Sequence, residues 1–278
     1  MIKRTEVISL SEDRPIGVFD SGVGGLTVVR VLFEKLPSEK VVYLGDTAHV
    51  PYGSRTVEEL QVFAGQIARF LVSQGAKMIV AACNTSSAVS LEYLKENFAV
   101  PIIGVIEPGV QRALQITRNG RVGVIATETT IKSQAFPRVA EQINPQVKVF
   151  SQACPQLVPL VEAGRLDDGE TERVCREYLE PLRAAGVDTL ILGCTHYPFL
   201  VPVIQRLMGE AVTLVDPAQE TVAVVGKTLK AQGQLSQQRA GCLDHRFYST
   251  GRADSFLQVG QRMVGDLIKQ VDQVDLDR

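Results

Sequence analysis

Two cysteines in different halves of the chain stand in matched surroundings. Cys83 lies in "AACNTSS" (81–87) and Cys194 in "LGCTHYP" (192–198), each where an aliphatic run stops and small hydroxyl or amide residues begin. A buried cysteine at a strand end can be a small hydrophobe and no more, and a facing pair can close a disulfide. A third use is inversion of a stereocentre. A single base tends to return a proton to the face it left, so inversion needs an acceptor on one face and a donor on the other, with roles that swap in the reverse direction. A thiol, with an ordinary pKa of about 8.5, serves as either form near neutral pH after modest tuning.

Tuning groups then have to lie close by. Asp20 ends the run "IGVFD", His196 follows Cys194 by two residues, and Glu162 stands in "PLVEAGR". Each has a plainer reading: Asp20 as the N-cap of the next helix, His196 as a core histidine with its hydrogen bonds satisfied, Glu162 as a solvated helix residue. The loop "DSGVGGLTVV" (20–29) opens a helix, and its amides could cradle an anion, with Ser21 beside it. It has no P-loop lysine, and its glycines at 22, 24 and 25 do not keep the Gly-x-Gly-x-x-Gly spacing. "HVPYGSR" (49–55) reads as a turn, in which Tyr52 and the amide of Gly53 could hold a carboxylate or Tyr52 could simply pack.

The elements that must position these residues alternate along the chain. Strands are expected at 15–20, 40–45, 76–82, 100–106, 120–126, 147–150, 187–193 and 211–216, with amphipathic stretches between them. Helices are expected at 56–75, 86–98 and 171–186, and again in the C-terminal 256–271. The first of these opens with Thr56 and Glu59 at capping-box spacing and closes at Gly75. Such alternation predicts βαβ units and parallel sheets. "GAKMIVAACNT" (75–85) and "GVDTLILGCTH" (186–196) also run in register, with the cysteine eight places after the glycine in both. "IGVFDS" (16–21) and "VGVIAT" (122–127) align likewise. The expected fold is therefore α/β, with two similar domains, each a mainly parallel sheet flanked by helices, pseudo-symmetric about a cleft. Ligands of open parallel sheets bind outside the carboxyl ends of the strands. Asp20, Ser21, Thr127, Thr195 and both matched cysteines fall at such ends, so facing sheets would turn the two thiols toward one cleft.

Composition narrows the function classes. With 278 residues the chain is comfortable for two domains. Hydrophobic content of 45% and charged content of 22% are those of a globular protein. A formal net charge of −2 offers no basic field for nucleic acid or anionic membrane, and the absence of tryptophan leaves little base-stacking surface. "MIKRTEVISLSEDRP" lacks the apolar centre of a signal peptide, and no apolar run is long enough to span a membrane. Five cysteines, at 83, 154, 175, 194 and 242, are an odd number without close pairing, which points to a reducing cytoplasm rather than a disulfide framework. No Cys-x-x-Cys occurs, so no structural zinc site is expected. For Cys154, Cys175 and Cys242, packing is the expected role.

Taken together, "GVFDSGVGGLTV", "YLGDTAHVPYGSR", "ACNTSSA", "GVIATETTIKS" and "LGCTHYP" resemble the glutamate racemase family, within the wider aspartate/glutamate racemase group, from about residue 15 to about 220. The resemblance implies a cofactor-independent, metal-free enzyme interconverting L- and D-glutamate, supplying D-glutamate for bacterial peptidoglycan. It implies Cys83 and Cys194 as the acid/base pair, with Asp20 assisting the Cys83 side and Glu162 and His196 the other. Asp20, Ser21, Tyr52, Gly53, Asn84, Thr85, Thr195 and His196 would bind substrate, with Thr130 a further contact. Thr129 stands where the family often has glycine. "CTH", against the "CTE" of aspartate racemases, points to glutamate. The resemblance also implies a homodimer and a discontinuous first domain, 1–112 plus 220–278, around a second at 113–219. The alternatives are a related racemase or decarboxylase acting on another carboxylic acid such as aspartate, and a non-catalytic amino-acid- or nucleotide-binding module using the "SGVGG" loop.

Overall fold

The structure, a computed structural model, describes residues 12–238 and 243–276. The N-terminal segment 1–11 and Cys242 lie outside the described residues. Ten strands form two sheets among the described residues. The first comprises β1 (Ile16–Asp20), β2 (Val41–Gly45), β3 (Met78–Ala81), β4 (Ile102–Gly104), β9 (Arg246–Ser249) and β10 (Asp272–Gln273), in the order β10-β9-β2-β1-β3-β4. The second comprises β5 (Arg121–Ala126), β6 (Lys148–Ala153), β7 (Thr189–Gly193) and β8 (Thr213–Val215), in the order β6-β5-β7-β8. Every pairing is parallel. The expected fold class, two helix-flanked parallel sheets, is the one observed.

Parallel sheets are covered on both faces, so their central strands are apolar throughout. β1, β2, β3 and β7 are buried at every residue. Side chains still alternate between faces. Ile16, Val18, Val41, Tyr43, Met78 and Val80 enter one core, while Phe19, Val42, Leu44, Ile79 and Ala81 enter the core on the opposite face. In the second sheet Leu190 and Leu192 face one core and Ile191 the other. Helix Val57–Ser73 starts at the expected capping box, with Thr56 Oγ1 accepting from Glu59 N at 3.2 Å and Glu59 accepting from Thr56 N at 2.9 Å.

Several boundaries differ from the sequence expectation. The run 100–106 contributes only Ile102–Gly104 to the sheet, and Ile106 already opens helix Ile106–Ile116. β6 runs on to Ala153 as a partly exposed edge strand. The stretch 86–98 is two helices, Asn84–Val89 and Leu91–Asn97, broken at Ser90. The C-terminal helix is Ala253–Val264, stopped by Gly265 at φ +64°. The chain then returns through β10, and β9 and β10 extend the first sheet beyond β2. Helix Pro217–Ala231 packs Ala218, Val222, Val225 and Leu229 into the first sheet's core. Cys154 and Cys175 are buried free thiols in the second sheet's core. No described helix is long and apolar enough to cross a membrane.

Candidate active site

Register sets the site. Asp20 at the end of β1 lies opposite Gly45, and Phe19 opposite Ala81, so Cys83 emerges two residues past the end of β3 beside the end of β1. In the second sheet Ala126 pairs with Gly193, placing Thr127 and Cys194 side by side at adjacent strand ends. Between the two sets of ends lies a cavity of about 410 Å³, lined by both Cys83 and Cys194. That volume suits a small ligand. Of the other residues singled out from sequence, Ser21, Tyr52, Gly53, Asn84, Thr85, Glu162, Thr195 and His196 line the same cavity, whereas Asp20 and Thr130 stand behind its wall.

On the first-sheet side, Cys83 is the N-cap residue of helix Asn84–Val89 and is 5% exposed. Its thiol faces the Ser21 hydroxyl at 3.8 Å. Burial, reinforced by the charge of Asp20, pushes the thiol up to about 11 against the help of a helix-terminal amide. Asp20 is fully buried and caps no helix. Its Oδ1 accepts from Gly22 N at 2.9 Å and its Oδ2 accepts from Thr195 Oγ1, across the cleft, at 3.2 Å. Burial raises this carboxyl above its ordinary value, opposed by His196 and these donors.

On the second-sheet side, His196 is 3% exposed and sits between Cys194 Sγ, 3.8 Å from Nδ1, and Glu162 Oε1, 3.2 Å from Nε2. Burial alone would lower its pKa. The hydrogen bonds to Cys194 and Glu162, with the charges of Cys194 and Asp20, outweigh burial and raise it to about 10. The surroundings thus favour the protonated ring, a counter-charge for any thiolate at Cys194. Glu162 ends helix Leu157–Glu162 with its side chain 43% exposed at the cavity mouth.

Hydroxyls and an amide line the cavity that both sulfurs border. Thr85, Thr127 and Thr130 share three hydroxyl–hydroxyl hydrogen bonds of 2.9–3.1 Å, so Thr130 supports the two hydroxyls that line the cavity. Asn84 Oδ1 is buried without a hydrogen-bond partner. The Tyr52 hydroxyl donates to buried Asp46, which also accepts from Thr250 Oγ1 at 2.7 Å. What the Tyr52–Ser54 turn leaves for a ligand is therefore its backbone and the exposed Ser54 hydroxyl.

Sequence reasoning did not find the apolar wall formed by Val50, Pro51, Pro155, Val158 and Pro159, nor that Cys154 lies in it. Prolines and valines carry no chemical signal of a site by residue type. The "SGVGG" loop has a steric reason for two of its glycines. A Cβ on Gly24 would sit 2.3 Å from Thr195 Oγ1 and 2.8 Å from His196 Nδ1, and one on Gly25 would sit 2.6 Å from Asp20 Cβ. No group of three or more metal-ligating side chains is assembled among the described residues.

The comparisons with known proteins agree on one family. Residues 16–225 match the Asp/Glu/Hydantoin racemase family. The glutamate racemase of Desulforudis audaxviator is 49% identical over 268 residues, 95% of this chain and 98% of that protein. Among solved structures, a glutamate racemase isoform from Bacillus anthracis superposes with a TM-score of 0.92 at 40% identity, over 95% of this chain and 98% of the other. The Francisella tularensis glutamate racemase, solved with D-glutamate, gives 0.89 at 37% identity, over 96% of this chain and 99% of the other.

Proposed function

The chain belongs to the Asp/Glu/Hydantoin racemase family, and from that premise we propose that it interconverts L- and D-glutamate by proton transfer between Cys83 and Cys194, without a cofactor. The observation that carries the reading is that two free thiols from different sheets line one cavity, Cys83 beside the Ser21 hydroxyl and within the field of Asp20, Cys194 beside the His196 ring. One sulfur, as thiolate, removes the proton from Cα. The electron pair stays on carbon, and the opposite thiol then gives its proton to the other face. The reverse reaction exchanges the two roles.

The α-carbanion of a carboxylate is poorly stabilised, so the site must supply donors and exclude water. Asn84, Thr85, Ser21, Thr195 and the Gly53 backbone hold the substrate's carboxylates, while the apolar wall keeps solvent from the reacting carbon. Asp20 acts through Cys83 and the Thr195 hydroxyl, and Glu162 through His196. Supply of D-glutamate for peptidoglycan, a cytoplasmic setting and a homodimer belong to the same proposal and rest on family membership.

The test is direct. In heavy water, L-glutamate becomes D-glutamate carrying deuterium at Cα. An unchanged optical rotation with the α-hydrogen retained would refute the reading. Cys83→Ala and Cys194→Ala each abolish racemisation, and either one turning over near the wild-type rate would refute the two-thiol scheme.

A further inference from the structure

We propose that Thr129 is a positioning residue, whose hydroxyl ties the Tyr52–Ser54 turn to the facing side of the cleft and thereby fixes the Gly53 backbone at the cavity wall. Thr129 Oγ1 donates to Gly53 O at 2.7 Å, between positions 76 apart in sequence. The turn follows β2 in the first sheet, and Thr129 lies in helix Glu128–Lys132, which follows β5 in the second. Gly53 and Ser54 line the cavity and Thr129 does not, so its hydroxyl acts through the turn and not on a bound molecule.

The turn is well held on its own side. The Tyr52 hydroxyl donates to Asp46, Arg55 N donates to Tyr52 O at 3.2 Å, and Arg55 Nε donates to His49 O at 3.2 Å. On the facing side it meets Thr127, whose Cβ would lie 3.3 Å from a Cβ built on Gly53. Van der Waals contact limits the approach but does not orient a peptide, and glycine leaves its own backbone dihedrals the freest of any residue. A hydrogen bond to the Gly53 carbonyl supplies the missing restraint. Because the peptide unit is planar and trans, it fixes the direction of the following amide as well. Thr129 in turn is set by its short helix, which Thr127 caps by accepting from Thr130 N.

The kinetic part of this inference rests on the racemase reading, whereas the tie itself can be measured without it. In the full chain, Thr129→Val keeps the side-chain shape and removes the donor, while Thr129→Ser keeps the donor. In Thr129→Val, amide hydrogen exchange in 52–55 is expected to quicken, with exchange in the sheet strands unchanged. KM for both glutamate enantiomers is expected to rise about two- to tenfold, the factor that a lost neutral hydrogen bond gives. The thiols and their partners are untouched, so kcat stays within about twofold, and Thr129→Ser restores both readouts. Wild-type exchange and KM in the valine variant would overturn the proposal. So would faster exchange throughout the second sheet, or a serine variant that behaves like valine. A wild-type chain without racemase activity would overturn the functional reading, while local exchange that responds to the donor would still support the tie.

Discussion

His196 is held by opposing forces that leave a measurable trace in pH. Its pKa of about 10 and that of Cys83 at about 11 both lie above the ordinary values of about 6.5 and 8.5. Each group therefore binds its proton more tightly in the folded chain than in the unfolded one, and stability falls as pH rises. The His196 contribution is full below about 6.5 and is lost progressively as pH climbs to about 10. The Cys83 contribution is full below about 8.5 and is gone by about 11, and burial raises Cys154 and Cys175 in the same direction. Each proton accounts for at most about 1.4 kcal/mol per pH unit within its window. Thermal melts from pH 6 to 11 should show a descending curve. His196→Asn flattens its neutral-to-alkaline limb, and Cys83→Ala removes only a share above about 8.5. Because the imidazolium also stands beside Cys194, His196→Asn should lower kcat by roughly 10²–10⁴-fold, the usual worth of a positioned acid–base group. A variant with the wild-type melting slope and turnover would show that the ring is a packing residue.

Among the elements, the loop between β1 and helix Leu26–Lys35 does more than its composition announces. The glycine-rich sequence suggests an anion cradle, but the geometry shows the loop's backbone lying against the Thr195 and His196 side chains from the other sheet. Gly24→Ala would drive a methyl into Thr195 and His196. It should cost about 1–3 kcal/mol of stability by overpacking and depress turnover at least tenfold, because it displaces the Cys194 turn. Equal activity in the alanine variant would show that the contact yields freely. The same loop marks how much of the site could be read in advance. The central strands were legible because burial on both faces makes them aliphatic runs, and the two cysteines because they end matching runs. β9 was not, since "RFYS" is short, carries Arg246 and borrows its regularity from β2. The break at Ser90 was not, since serine neither stops nor signals a helix by type alone. The cross-cleft pairs, Asp20 with Thr195 and Gly53 with Thr129, join residues 175 and 76 positions apart. No local pattern encodes such pairs. The departure from glycine at 129 was visible in sequence, but not what the new hydroxyl would touch.

At the scale of the molecule, the reactive ends of the first sheet's strands are only as fixed as the opposite edge that holds the strands in register. There, Lys77 Nζ lies 2.6 Å from Glu39 Oε2, with both side chains buried, just before β3 and β2 respectively. Lys77 Nζ also donates to the carbonyls of Glu12 and Gln234, both at 2.7 Å, and Glu39 Oε1 accepts from Ser236 N at 2.8 Å. One ion pair thus gathers the chain's entry into β1, two strand starts and the segment that follows helix Pro217–Ala231. Removing a single partner strands a buried charge, which costs about 3–5 kcal/mol, whereas replacing both by apolar groups of similar volume is often neutral. Lys77→Met should therefore lower the denaturant midpoint sharply. Adding Glu39→Leu should recover part of the loss, limited by the Ser236 amide, which then loses its acceptor at a cost of about 1–3 kcal/mol. The double-mutant cycle measures the coupling, and its sign decides the matter. Costs that simply add would mean that the pair is incidental to the sheet, and that the carbonyls of Glu12 and Gln234 alone hold Lys77 in place.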